Sequence, residues 1–380
     1  MTATKNRRSG LVAVAGLVVA ALLSVTGCAN LSGHPSEFEH NTVELPPLSE
    51  LEPLEDPRAY EGPTTAVVGG PSLPPLAEAP EQKLPVTVTS LDRNDEKEVT
   101  VEDASRVIPL SLSGSVGEFM YAFGLADKIV GRDISTNFPG AEDIPLVTAR
   151  GHSVDAETVL SLNPTLIITD ASVGPTDVVL QLRDAGVQVV TVERAVNPET
   201  SYRAAQQVAD ALGVGHIAPE FIEKLKAAIE AKEAEIAQLL PEDKSKLPRI
   251  AFLYVRGSAG IFYLFGEGSG ADSLIRSIGA IDVAEEVSWI GEKPMTEEAL
   301  VKMNPDIILV MTKGLESVDG VDGLLEAQQA IALTNAGKNR RIIDVDDAVI
   351  FAGGARIPDV LDGVARAVYA PDSLAEFQGE

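Results

Sequence analysis

Residues 157–169, "ETVLSLNPTLIIT", and residues 298–310, "EALVKMNPDIILV", are two copies of one pattern. Glu157 and Glu298, Asn163 and Asn304, Pro164 and Pro305, and Ile167 and Ile308 coincide at a constant offset of 141 positions. Each copy opens with apolar residues at helical spacing. Asn-Pro then stops the helix, because a proline disfavours helical geometry in the residue before it. An uninterrupted apolar run follows, the signature of a parallel strand buried on both faces. Working outward, similar strand-like runs occupy residues 106–110, 128–133, 187–193, 249–253 and 341–347, with helical patterns between them. The alternation predicts an α/β fold made of two related Rossmann-like lobes.

Residues 86–101, "VTVTSLDRNDEKEVTV", alternate on both sides of a polar turn and predict a β-hairpin ahead of the first lobe. Between the lobes, residues 219–240 carry Phe221, Ile222, Leu225, Ile229, Ile236 and Leu239 at helical spacing with no breaker. A single long connecting helix is expected there.

The N-terminus reads as an export signal: Lys5, Arg7 and Arg8 precede an apolar run that ends in Val25-Thr26-Gly27-Cys28. This run resembles a lipobox, which makes Cys28, the only cysteine of the chain, the expected lipidation site. Residues 28–85 are rich in proline and acids and lack apolar periodicity, and so read as a disordered tether. His34 and His40, within it, read as solvated. The expected organisation is therefore a signal peptide (1–27), a tether (28–85), an N-terminal lobe with its hairpin (86–217), a linker helix (218–245) and a C-terminal lobe (246–380). The net charge of −27 argues against nucleic acid and anionic membrane surfaces as partners. An anionic ligand would have to be met by locally clustered arginine.

This order of lipobox, lobe, long helix and lobe resembles the class III, or cluster A-I, periplasmic-type solute-binding proteins over essentially everything from Val86 to Glu380. The resemblance implies delivery of a ferric siderophore, a corrinoid or haem to an ABC permease, with little domain closure. In such a fold ligands sit between the lobes at the C-terminal ends of strands.

The candidate chemistry of that cleft is sparse. His216 precedes the long helix and reads as structural, whereas His152, in "TARGHSVDAE", lies in a loop opening on the cleft. In "IAFLYVRGSAG" (residues 250–260), Tyr254 and Arg256 are two apart on one strand and so share a face. A free phenol titrates near ~10, and an adjacent guanidinium favours the phenolate. A phenolate is a hard anionic ligand suited to ferric iron, and imidazole is a normal haem ligand from the opposite side. Arg132, Arg150 and Arg356 are the candidates to meet porphyrin propionates.

"GRDISTNFPG", "RGHSVDAE" and "FLYVRGSAGIFYLFGEGSGAD" resemble the haem-binding lipoproteins of actinobacterial haem importers, the HmuT type. That resemblance implies His152 and Tyr254 as axial haem ligands with Arg256 bonded to the tyrosine. It further implies a lipid-anchored protein on the extracytoplasmic face of a Gram-positive actinobacterial membrane, with haem as cargo and an ABC permease as partner. Cell-surface haem carriers and haemoproteins are the candidate donors. Glu267 and Asp177 are the candidate permease-docking residues.

Other readings stay open. "GEGSGAD" (residues 266–272) lacks the spacing and lysine of a nucleotide loop, so its glycines are expected to admit a ligand or open a helix. Trp289, Met295 and Met311 are candidates to line an apolar pocket, with core packing expected for at least two. A siderophore or corrinoid receptor would leave His152 without a purpose. A direct zinc or manganese site would want more ligands than one cleft histidine. A peroxidase would need an open coordination site and an acid/base group. No catalytic constellation is expected.

Overall fold

The computed structural model describes residues 45–76, 79–92, 95–149, 151–350 and 353–377. The expected signal peptide, Cys28, His34, His40 and Arg150 lie outside the described residues.

The duplicated pattern folds the same way twice. In the first copy the helix Ala156–Ser161 is capped by the Asp155 side chain, and Leu166–Thr169 follows as a strand. In the second, Thr296 caps Glu297–Met303 and Ile307–Met311 is the strand. The asparagines at the stops, Asn163 and Asn304, have φ of 46° and 44°. Asparagine tolerates this left-handed geometry better than most residues, so it ends a helix where proline forbids continuation.

In the N-terminal lobe Leu166–Thr169 is the middle strand of a three-stranded parallel sheet, between Val107–Leu110 and Gln188–Thr191. The expected hairpin forms from Val86–Asp92 and Asp95–Val101. It packs beside Gln188–Thr191, where Ser90 accepts from the Thr191 amide and Arg183 donates to Asp92. Residues 128–133, expected as a strand, pair only at isolated points, Ile129 with Val107 and Arg132 with Leu146. Gly131 sits so tightly that a Cβ there would stand 2.7 Å from both Leu162 and Val147. Side-chain packing against that backbone takes the place of a regular ladder.

The C-terminal lobe is built on a seven-stranded mixed sheet. Its path runs Thr64–Ala66, Ile342–Val345, Ile307–Met311, Arg249–Arg256, Ile261–Phe265 and Glu292–Pro294, and Ile281–Asp282 pairs with the start of Arg249–Arg256. The first four run parallel, Ile261–Phe265 returns antiparallel to them, and Glu292–Pro294 pairs antiparallel with Ile261–Phe265.

The presence of Thr64–Ala66 in that sheet corrects the expectation of a tether through residue 85. Residues 45–76 are docked: Leu48 is buried, and Leu45, Leu51, Val67, Val68 and Leu73 pack on the main core. Three buried arginines hold the segment by its carbonyls: Arg366 binds Pro46 O, Arg341 binds Gly62 O and Arg356 binds Gly69 O. Backbone acceptors exist at every residue, so a proline-rich segment docked through them shows no side-chain periodicity. The segment then crosses to the N-terminal lobe, where the Leu76 amide donates to Ala122 O.

The connecting helix is Ala218–Ile236, shorter than expected. Phe221, Leu225, Ile229 and Ile236 form its buried stripe, against the helices Ile357–Tyr369 and Pro198–Ala211. The lobes are thus joined twice, by this helix and by the docked N-terminal segment.

Candidate ligand-binding cleft

Strand Arg249–Arg256 sits inside its sheet: residues 250–253 pair with Ile307–Met311 on one side, and residues 252–256 pair with Ile261–Phe265 on the other. Its alternation puts Phe252, Tyr254 and Arg256 on one face. The Tyr254 ring stacks on Phe265 with centroids 6.0 Å apart and planes 16° from parallel. Phe265 in turn packs on Phe252 at 5.1 Å. The ring is therefore fixed before any ligand arrives. Arg256 Nε donates to Tyr254 Oη at 2.8 Å. That bond fixes the hydroxyl oxygen beside a permanent cation.

His152 comes from the other lobe. It lies between the two-residue strands Thr148–Ala149 and Ser153–Val154, beside Gly151, whose φ of 86° turns the loop. Its Nδ1 is buried and has no hydrogen-bond partner among the described residues. Burial holds the imidazole below its ordinary value, and the positive charges of Arg256 and Lys313 push it further the same way. The ring is thus neutral at pH 7, the form that ligates a metal. A buried, unsatisfied ring nitrogen carries a desolvation cost that a ligand would offset.

Both residues line one cavity of about 1000 Å³, counting its open mouth. Leu112, Met311, Ile350, Val360 and Leu361 supply apolar wall, and Arg194, Arg256 and Asp347 supply charge. Backbones of the two lobes meet closely at the cavity edge. A Cβ on Gly270, whose φ is 96°, would stand 2.8 Å from Val196 O, and one on Gly353 would stand 2.6 Å from Ala195 O. Gly270 also opens the helix Ala271–Ser277, which is the role expected of this glycine-rich loop.

The arginine candidates fare differently. Arg132 is 6% exposed, and its Nε is spent on Ala141 O. Arg356 is 5% exposed, and its side chain binds Asp359 and Gly69 O. Neither lines the cavity, and both guanidiniums serve internal structure. Arg194, which sequence reasoning passed over, does line it. Its guanidinium reaches across to Glu292 of the other lobe at 3.9 Å. The available signal was its position just past the strand Gln188–Thr191, at the end where α/β folds bind ligands. Of the sulfur and indole candidates, Met311 lines the cavity. Trp289 and Met295 pack on the second core cluster, and Trp289 Nε1 donates to Leu264 O. His216 lies in the short turn Gly215–Ile217 ahead of the connecting helix, away from the cavity lining. Glu267 and Asp177 are exposed, one on each lobe. Among the described residues no group of three or more His, Cys, Asp or Glu could hold a bare metal ion.

The sequence model of the periplasmic binding proteins matches residues 110–349. The chain is 30% identical over 302 residues to "Uncharacterized ABC transporter substrate-binding lipoprotein YvrC" of Bacillus subtilis (strain 168), covering 78% of this chain and 90% of that one. Among solved structures, the heme binding protein HmuT matches with a TM-score of 0.75 and 35% identity, covering 83% of this chain and 99% of that one. HmuT variants with a tyrosine, an arginine two positions further on, or a histidine replaced by alanine match with TM-scores of 0.77, 0.77 and 0.75. The periplasmic heme-binding protein RhuT of Roseiflexus sp. RS-1 matches with a TM-score of 0.62 and 32% identity, over 71% of this chain and 99% of that one. The two-lobed fold, the inter-lobe cavity and these matches agree: the chain belongs to the periplasmic binding protein family, as a substrate-binding component of ABC transport.

Proposed function

We propose that the protein is a lipid-anchored extracytoplasmic receptor that takes ferric haem into the cleft between its lobes and delivers it to an ABC permease. One observation carries the reading: a neutral imidazole from one lobe, its Nδ1 without a partner among the described residues, and an arginine-bonded phenol from the other line the same cavity. Phenolate oxygen and imidazole nitrogen are haem ligands of complementary character, one anionic and hard, one neutral. The tyrosine and arginine replaced in the HmuT variants have the spacing of Tyr254 and Arg256 here, which supports the same roles. One ligand per lobe also supplies a release route, since parting the lobes breaks one iron bond. Arg194 is the cavity cation available to a porphyrin carboxylate.

The rest of the proposal follows from the sequence. Cys28 carries the lipids, on the outer face of a Gram-positive actinobacterial membrane. Glu267 and Asp177 meet basic residues of the permease, and haem arrives from cell-surface carriers. Absorbance titration with hemin tests the central claim: a saturable six-coordinate ferric spectrum is expected. A protein that stays colourless, or that takes a ferric siderophore or corrinoid instead, refutes it. A five-coordinate form with peroxide turnover would make it an enzyme.

A further inference from the structure

Asp347 lines the same cavity, from the turn after strand Ile342–Val345. Asp346 sets that turn: its Oδ1 accepts from the Ala348 amide, and its carbonyl accepts from the amides of Val349 and Ile350. Asp347 Oδ1 accepts from the Lys313 amide at 2.9 Å, at the end of the neighbouring strand Ile307–Met311. That pins the carboxylate and leaves Oδ2 3.8 Å from Arg256 Nη2. Arg256 therefore stands between two anion-seeking contacts, its Nε on the Tyr254 hydroxyl and its far side toward Asp347. The row Tyr254, Arg256, Asp347 spans the ends of three adjacent strands.

The Arg256 side chain is 35% exposed and the Asp347 side chain 18%. An arginine that open to water has several alternative rotamers, and holding one of them costs side-chain entropy. Resting on the haem reading above, we infer that Asp347 is a positioning residue. It holds Arg256 in the rotamer that donates to Tyr254.

The test is hemin titration of the full-length chain and of Asp347→Asn, Arg256→Ala and the double variant. Asparagine keeps an oxygen for the Lys313 amide while removing the charge, so the turn survives. Asp347→Asn is expected to weaken hemin binding about fivefold, the scale of a partly exposed ion pair, and to move the ferric spectrum toward that of Arg256→Ala. Asp347→Glu, which keeps the charge, is expected to restore most of the loss. In the Arg256→Ala background, Asp347→Asn should cost nothing further, because the group it acts through is gone. Losses that simply multiply, or a wild-type spectrum and affinity in Asp347→Asn, overturn the inference and leave the haem reading standing. Wild-type protein that takes up no hemin overturns both.

Discussion

The two lobes face one cavity with opposite construction. The N-terminal lobe offers His152 from a loop between strands of two residues each, turned by a glycine in left-handed geometry. The C-terminal lobe offers Tyr254 from a strand inside a seven-stranded sheet, with its ring stacked on Phe265 and its hydroxyl held by Arg256. One side chain is placed by a paired strand and a stacked ring, the other by a few turn residues. Ladder bonds and a packed ring leave little freedom to lose on binding, whereas a short loop can adjust. The difference assigns affinity to the C-terminal side and accommodation to the N-terminal side. Both lobes enclose charge. The C-terminal lobe encloses Arg341 and Arg366, both bonded to carbonyls of residues that precede the first lobe. The N-terminal lobe encloses Glu118 and Asp133.

The sharpest break of this comparison is Arg341→Met. Arg341 is fully buried and donates to Gly62 O, Thr64 Oγ1 and Ala367 O. Ala367 lies near the end of the helix Ile357–Tyr369, four residues before Pro371, which has no amide to offer it. Burial pushes the guanidinium down to about 10, so it is charged at pH 7. Methionine fills much of the volume and strands three acceptors, each worth about 1–3 kcal/mol. A loss of about 3–5 kcal/mol by urea unfolding is expected, with the edge strand Thr64–Ala66 released first in hydrogen exchange. A loss under about 1 kcal/mol would mean that the strand docks independently of this arginine.

Next in size, Tyr254→Ala removes the rigid ligand and should weaken hemin about 100-fold, or ~2.7 kcal/mol. His152→Ala removes the adjustable one and should cost about tenfold, leaving a five-coordinate tyrosinate spectrum. Equal losses at the two positions, measured by the same titration, would erase the proposed asymmetry between the lobes.

What could be read from the chain follows the same division. The Asn-Pro stops, the hairpin and the connecting helix were legible because local chemistry decides them: proline geometry, strand alternation and helical spacing act within a few residues. Tyr254 and Arg256 were legible for the same reason, since strand alternation alone puts them on one face. The docking of residues 45–76 was not. Its partners Arg341, Arg356 and Arg366 lie some 300 positions away, and they bind carbonyls that every residue possesses. Arg132 and Arg356 failed as cleft cations on the same ground, because a guanidinium goes to whichever acceptors the tertiary fold brings near. Arg194 carries no motif, and only its place after a strand end marks it.

The smallest expected effect concerns the buried carboxyl of the N-terminal side. Glu118, on the helix Ser115–Ala122, is 2% exposed, and neither carboxylate oxygen has a hydrogen-bond partner among the described residues. Burial raises its pKa well above 4.5; Arg356 opposes the rise, and Asp359 and Asp133 add to it. A carboxyl whose folded value exceeds its unfolded one binds more protons when folded. Its contribution to stability is therefore lost as pH climbs from the unfolded value through the folded one. Glu118→Gln removes that ionisation while keeping the shape. Relative to wild type, its gain in stability should be larger at about pH 8 than at about pH 5. A residual slope is expected below pH 6 from Asp133, which burial pushes up to about 6. Urea midpoints at the two pH values decide the matter: a gain of equal size at both would show that packing, not buried charge, sets the behaviour of this helix.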